Sequence, residues 1–164
     1  MTSVSTARIL ADKALQVTCG QQCVDWAITM LEEGKDGETL KMLAAQLPPY
    51  NHFQLASLRD RALSEQGISN LDGEVAVSTF VVEQLRIALA GEADLIETLG
   101  AVKDLCIARN YAKELYDFYL LYWAYCDLRD YRNQYYWPDA TRENIDALIR
   151  QRAEDFVRKF SGSV

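Results

Sequence analysis

Carboxylates are the residues in this chain best placed by type for chemistry: Asp117, Asp127, Asp130 and Asp139, with Asp104 and Glu114 just before them. Paired carboxylates can shuttle protons or hold a hard divalent ion. A helical di-iron site, however, requires a Glu-x-x-His pair on each of two helices, and the chain contains no such pair. Asp127 and Asp130 share a helix face with Arg129 and Arg132 close by, which is the pattern of solvated ion pairs. The single histidine, His52, stands among Pro49, Tyr50 and Asn51 in a turn and has no nucleophile spaced to use it as a base. Glycines are scattered at helix ends, and none forms a phosphate-cradling loop. Catalysis is therefore not the first expectation, and no cofactor or metal is expected.

Aromatic residues give the stronger signal. Of 3 Trp, 9 Tyr and 5 Phe, eleven lie between Tyr111 and Trp137, in YAKELYDFYLLYWAYCDLRDYRNQYYW. The segment from Asp130 to Asp139 holds Tyr131, Arg132, Tyr135, Tyr136 and Trp137, and Tyr, Trp and Arg are the types that dominate binding hot spots. It is longer than a helix–helix connector needs to be and is stiffened by Pro138. Two placements satisfy these residues. The rings can fold back as a plug over the end of a bundle, with Asp139 or Thr141 capping the next helix, or they can form an exposed contact surface.

The cysteines Cys19, Cys23, Cys106 and Cys126 are expected as thiols packed as small hydrophobes. The N-terminus, MTSVSTARIL, lacks a charged segment followed by an apolar one, so a cytoplasmic protein is expected. No apolar run approaches the roughly 20 residues that cross a bilayer, so no membrane partner is expected. A net charge of −7 and a pI near 4.7 argue against nucleic acid and favour a basic partner.

The elements that must position these groups are helical throughout. Apolar residues recur at helical spacing, and no useful strand alternation occurs. The periodicity predicts helices over 5–17, 21–33, a short one carrying Leu40, Leu43, Ala44 and Leu47 inward, then 51–66, 74–90, 92–109, 112–129 and 141–160. Ala7, Leu10, Ala14 and Val17 form the expected inner stripe of the first. Gly34, Gly67 and Gly91 supply the stops, and Asn51 an N-cap. The turn-rich run from Gly67 to Gly73 is the expected seam within one domain, 1–164. In the seventh helix, Leu115, Phe118, Tyr122 and Tyr125 form one stripe and Tyr116, Leu120 and Trp123 another, so this helix is central or lies at an interface. The expected architecture is all-α, with seven or eight helices in antiparallel hairpins.

Two stretches, GKDGETLKMLAAQLPPYNHF (34–53) and FYLLYWAYCDLRDYRNQYYWPDATRENID (118–146), resemble small bacterial all-helical proteins of uncharacterised function. Some of these are encoded near toxin and defence systems and include immunity proteins. The resemblance implies a helical fold and a protein-binding role, and transfers no active-site residue. The leading expectation is thus a protein-binding module, an immunity-type factor against a basic toxin or other basic partner. Asp127, Asp130, Tyr131, Arg132, Tyr135, Tyr136, Trp137 and Asp139 would form its contact surface. The alternatives are a small metal-dependent hydrolase using the aspartates and a structural homodimer joined through surplus aromatics.

Overall fold

The computed structural model describes residues 3–161. It is all-α, with no strand among the described residues. The helices are α1 (Thr6–Ala14), α2 (Gln21–Glu32), α3 (Glu38–Ala44), α4 (His52–Glu65), α5 (Gly73–Leu89), α6 (Leu95–Ala108), α7 (Tyr116–Asp130) and α8 (Ile145–Ser161). A 3-10 turn, Lys113–Leu115, leads into α7. The chain divides into two compact units, Met1–Val77 and Ser78–Val164, with the division inside α5. None of the helices is long and apolar enough to cross a membrane.

In the first unit α1 packs on α2, α2 on α3, and α3 on α4. Ser5 caps α1 by accepting from the Arg8 amide, and Asn51 caps α4 by accepting from the Gln54 amide. Gly34 and Gly67 take the left-handed conformations, φ 84° and 69°, that end α2 and α4. The core gathers Ile9, Trp26, Leu40, Leu43, Leu55 and Leu63. Trp26 is wholly buried, and its Nε1–H donates to Thr6 Oγ1 at 3.1 Å, so its one polar atom is satisfied. The Glu65 carboxylate accepts from the Thr39 and Leu40 amides at 3.1 and 3.2 Å. It thereby caps α3 across the helix hairpin, as favoured by the partial positive charge of a helix N-terminus. Gly37 leaves room for it, since a Cβ there would lie 2.2 Å from Glu65 Oε2.

Three sequence expectations need correction in this unit. Helix α1 stops at Ala14, and Gln16 turns left-handed at φ 57°, so Val17 lies outside the helix and is exposed. The inner stripe is Ile9, Leu10 and Ala11, with the half-buried Ala7 and Ala14 at its edge. Helix α3 is one turn shorter than expected, which leaves Leu47 81% exposed in the connector. Cys19 and Cys23 form a disulfide. Cys19 sits in the turn before α2 and not on its face, with its Cα 6.0 Å from that of Cys23, within the span a disulfide bridges.

In the second unit α7 packs on both α6 and α8. Its buried stripe is Phe118, Leu121, Ala124 and Leu128, continued from Leu115 in the 3-10 turn. Tyr122, Trp123 and Tyr125 are only half-buried, and Tyr116 is exposed, so the two stripes expected from the sequence collapse to one stripe in which Phe118 is the one aromatic, with the other rings on its flanks. On α8, Ile145, Ile149, Ala153 and Phe156 face inward, and Phe156 meets Phe118 edge-on at 5.3 Å. Arg158 pairs with Asp155 one turn back, at 3.2 Å.

Candidate functional site

The eight residues expected to form a contact surface lie on the last turns of α7 and on the connector to α8, and that connector is built by residues the sequence did not single out. Helix α7 ends with the Tyr131 amide donating to Asp127 O at 2.6 Å. The orphan carbonyls at this helix end are met by Arg142, whose Nε donates to Leu128 O and Nη2 to Tyr131 O, at 2.5 and 2.9 Å. Gln134 organises the middle of the connector. Its Oε1 accepts from the Tyr136 and Trp137 amides, both at 2.8 Å. Its Nε2 donates to Trp137 O at 2.6 Å and to Ala140 O at 3.3 Å. Asn144 ties the far side, accepting from the Thr141 amide at 2.7 Å and donating to Asp139 O at 2.9 Å.

Helix α8 therefore starts at Ile145, one turn later than expected, and neither Asp139 nor Thr141 caps it. Thr141 contributes its carbonyl, which accepts from the Asn144 and Ile145 amides. Asp139 takes a left-handed conformation, φ 63°, which a short acidic side chain tolerates better than most.

This scaffold leaves the tyrosines outside. Tyr135 is 92% exposed, Tyr131 68% and Tyr136 40%, while Trp137 is half-buried. Only Trp137 approaches the plug placement. Tyr135, Arg132 and Asn133, with Gln134, Ala140 and Arg142, border a cleft of about 530 Å3. A second, smaller one of about 280 Å3 runs along Tyr125, Arg129, Arg142 and Asp146.

The electrostatics are more mixed than the net charge suggests. Asp130 is paired with Arg129 through Nε at 2.9 Å, and that hydrogen bond and charge hold its carboxyl below the usual range. Asp117, in the first turn of α7, is paired with Arg152 on α8 at 2.7 Å. Asp127 is half-buried on α7. The aspartates are thus distributed among ion pairs and separate turns. Among the described residues no group of three or more His, Cys, Asp and Glu stands close enough to share a metal ion. His52 is exposed, and its Nδ1 lies 2.7 Å from Cys19 O.

Near the start of α7 the structure also gathers a second aromatic concentration, in which Tyr119 contacts Tyr111, Tyr116 and Trp123. Desolvation first, and then the neighbouring Tyr111, Tyr116 and Tyr136 phenols, push the Tyr119 hydroxyl above its ordinary pKa of 10.0. Lys103 of α6 lies 4.6 Å from the centre of the Tyr122 ring and 5.5 Å from that of Trp123, so a cation already occupies that side of the cluster. Its signal in the sequence was present but ambiguous: tyrosines spaced three apart read equally well as core.

No protein-family model matches this chain, and no curated protein and no solved structure is significantly similar to it, so its functional reading rests on the geometry above.

Proposed function

We propose that this protein is a protein-binding module of the immunity-factor kind, which holds a basic partner through the α7–α8 connector. The observation that carries this reading is the pairing of exposed tyrosines with a fixed backbone. Tyr131 and Tyr135 project from a segment whose amides and carbonyls are held by Gln134, Arg142 and Asn144. Tyrosine offers large amphipathic contact area with few rotatable bonds, and a pre-ordered backbone lowers the entropy lost on docking. The net charge of −7 favours encounter with a basic surface. Arg129 and Arg142 are already engaged locally, which leaves the tyrosines to supply the contact energy and the overall field to supply the steering.

The test is site-specific photo-crosslinking in cells, with the probe at position 135 and a control probe at the exposed position 154 of α8. A discrete adduct from 135 that 154 does not give is expected. The captured partner, purified, should then bind the Tyr131→Ala/Tyr135→Ala protein at least about thirtyfold more weakly, with an unchanged melting temperature. Absence of an adduct, or equal affinity, overturns the reading.

A further inference from the structure

A separate cleft of about 820 Å3 opens at the start of α7, lined by Tyr111, Lys113, Tyr116 and Asp117. Its construction is unusual. After α6 ends, Asn110 and Tyr111 are both left-handed, φ 53° and 59°. This conformation costs a residue other than glycine about 1–2 kcal/mol. The Tyr111 and Ala112 amides donate to Cys106 O at 2.8 and 3.3 Å, which holds the kink. Strain of this type is retained where surrounding contacts over-determine it, commonly at ligand clamps.

The kink has a geometric result. Tyr111 meets Tyr119 edge-on, at 5.4 Å and 86°, while Tyr116 lies parallel to Tyr119 at 5.5 Å and 11°. Tyr111 and Tyr116 therefore stand nearly perpendicular to one another, each in contact with Tyr119 and both lining the cleft. Both are substantially exposed, at 51% and 40%. Asp117 borders the same space, steadied by Arg152 at 2.7 Å from its Oδ2. Lys113 provides the opposite charge.

The faces of aromatic rings attract cations, and perpendicular walls suit a bulky cation that brings no hydrogen-bond donors of its own. A simple cation would be repelled by Lys113, and a simple anion by Asp117 and the ring faces. We propose that this cleft binds a zwitterion carrying a quaternary ammonium and an anionic group, as in phosphocholine. Tyr111, Tyr116 and Asp117 receive the ammonium, and Lys113 receives the anion. The group can arrive on a free metabolite or as a lipid headgroup.

Calorimetric titration of the full chain with phosphocholine into the low millimolar range is the test, against 3,3-dimethylbutyl phosphate, the isostere that keeps the phosphate but replaces the trimethylammonium by a neutral tert-butyl group. Saturable binding is expected, with the isostere roughly five- to thirtyfold weaker. Tyr111→Gly keeps the left-handed backbone while removing the ring, and Tyr116→Ala removes the other wall; each should weaken phosphocholine at least fivefold. Lys113→Gln should weaken phosphocholine but not choline. Sedimentation with phosphatidylcholine vesicles, abolished by Tyr111→Gly, assigns the group to a lipid, and binding of the soluble compound alone assigns it to a metabolite. No saturable binding, equal binding of the isostere, or vesicle binding that survives Tyr111→Gly overturns the proposal.

Discussion

Trp26 and Trp123 put the same side chain to opposite uses in the two halves of the chain. Trp26 is closed off completely, and its Nε1–H meets Thr6 Oγ1. Trp123 is half-buried, ringed by Tyr119 and Tyr122 at 6.4 and 5.3 Å, and its buried Nε1 meets no acceptor. Of the three aromatics in the first unit, Trp26 alone is buried in the core, satisfied and surrounded by aliphatics, while Phe53 is 90% exposed. The second unit buries Phe118 and Phe156 but carries its tyrosines around the buried stripe of α7, where they remain partly in contact with solvent. An orphaned donor and open tyrosine faces are poor choices for stability alone, and they are the features on which the proposed binding role of the second unit rests.

This contrast can be broken most forcefully at Trp26. Trp26→Ala should lose roughly 3–5 kcal/mol in urea unfolding, as for other fully buried large aromatics. Trp26→Phe should still be clearly destabilising, whereas Trp123→Phe should be close to neutral because no hydrogen bond is forfeited. Equal costs for the two Phe variants would erase the distinction. Next in size, Gln134→Ala removes four hydrogen bonds from the α7–α8 connector, and it should cost about 1–3 kcal/mol and sharply accelerate amide exchange at Tyr136 and Trp137. Retained protection there would mean that the tyrosines do not depend on a fixed backbone.

In the first unit, Glu65→Ala uncaps α3 and should cost about 1 kcal/mol, read by thermal melting. The smallest effect is a pH dependence at Asp12. Burial outweighs the attraction of Arg8 and Arg59 and raises its carboxyl above the ordinary 3.8. The folded state then binds the proton more tightly than the unfolded state, so stability from this group is greatest below 3.8 and is lost as pH rises through the raised value. Relative to Asp12→Asn, the wild type should melt progressively lower across that rise, and a flat difference would contradict the burial argument.

The helices could be read from the sequence because their signals are local. Apolar spacing in α2, α4 and α6 places Trp26, Leu55, Leu58, Leu99 and Val102 inward, and they are buried. Gly34, Gly67 and Gly91 stop helices where a positive φ is required. Features that depend on long-range or side-chain-to-backbone bonding left no such mark. Gln134 and Arg142 look like ordinary polar residues until the carbonyls they serve are in place. The Glu65 cap joins residues far apart in sequence. Tyr131 and Tyr135 were legible as contact candidates by type, but whether they lay inside or out depended on that hidden bonding. The corner at Tyr111 was illegible, because neither Asn110 nor Tyr111 advertises a left-handed conformation as glycine does.

The bond between Cys19 and Cys23 has a practical sequel for following this protein in solution. It withdraws two of the four sulfurs from alkylating reagents. Cys106 is buried, and desolvation, followed by the nearby Glu114 charge, pushes its thiol up and slows its attack. Cys126, half-exposed on α7, is left as the fast-reacting position. Under non-reducing conditions a maleimide dye should attach there preferentially, placing a reporter on the helix that carries the tyrosines without any engineered residue.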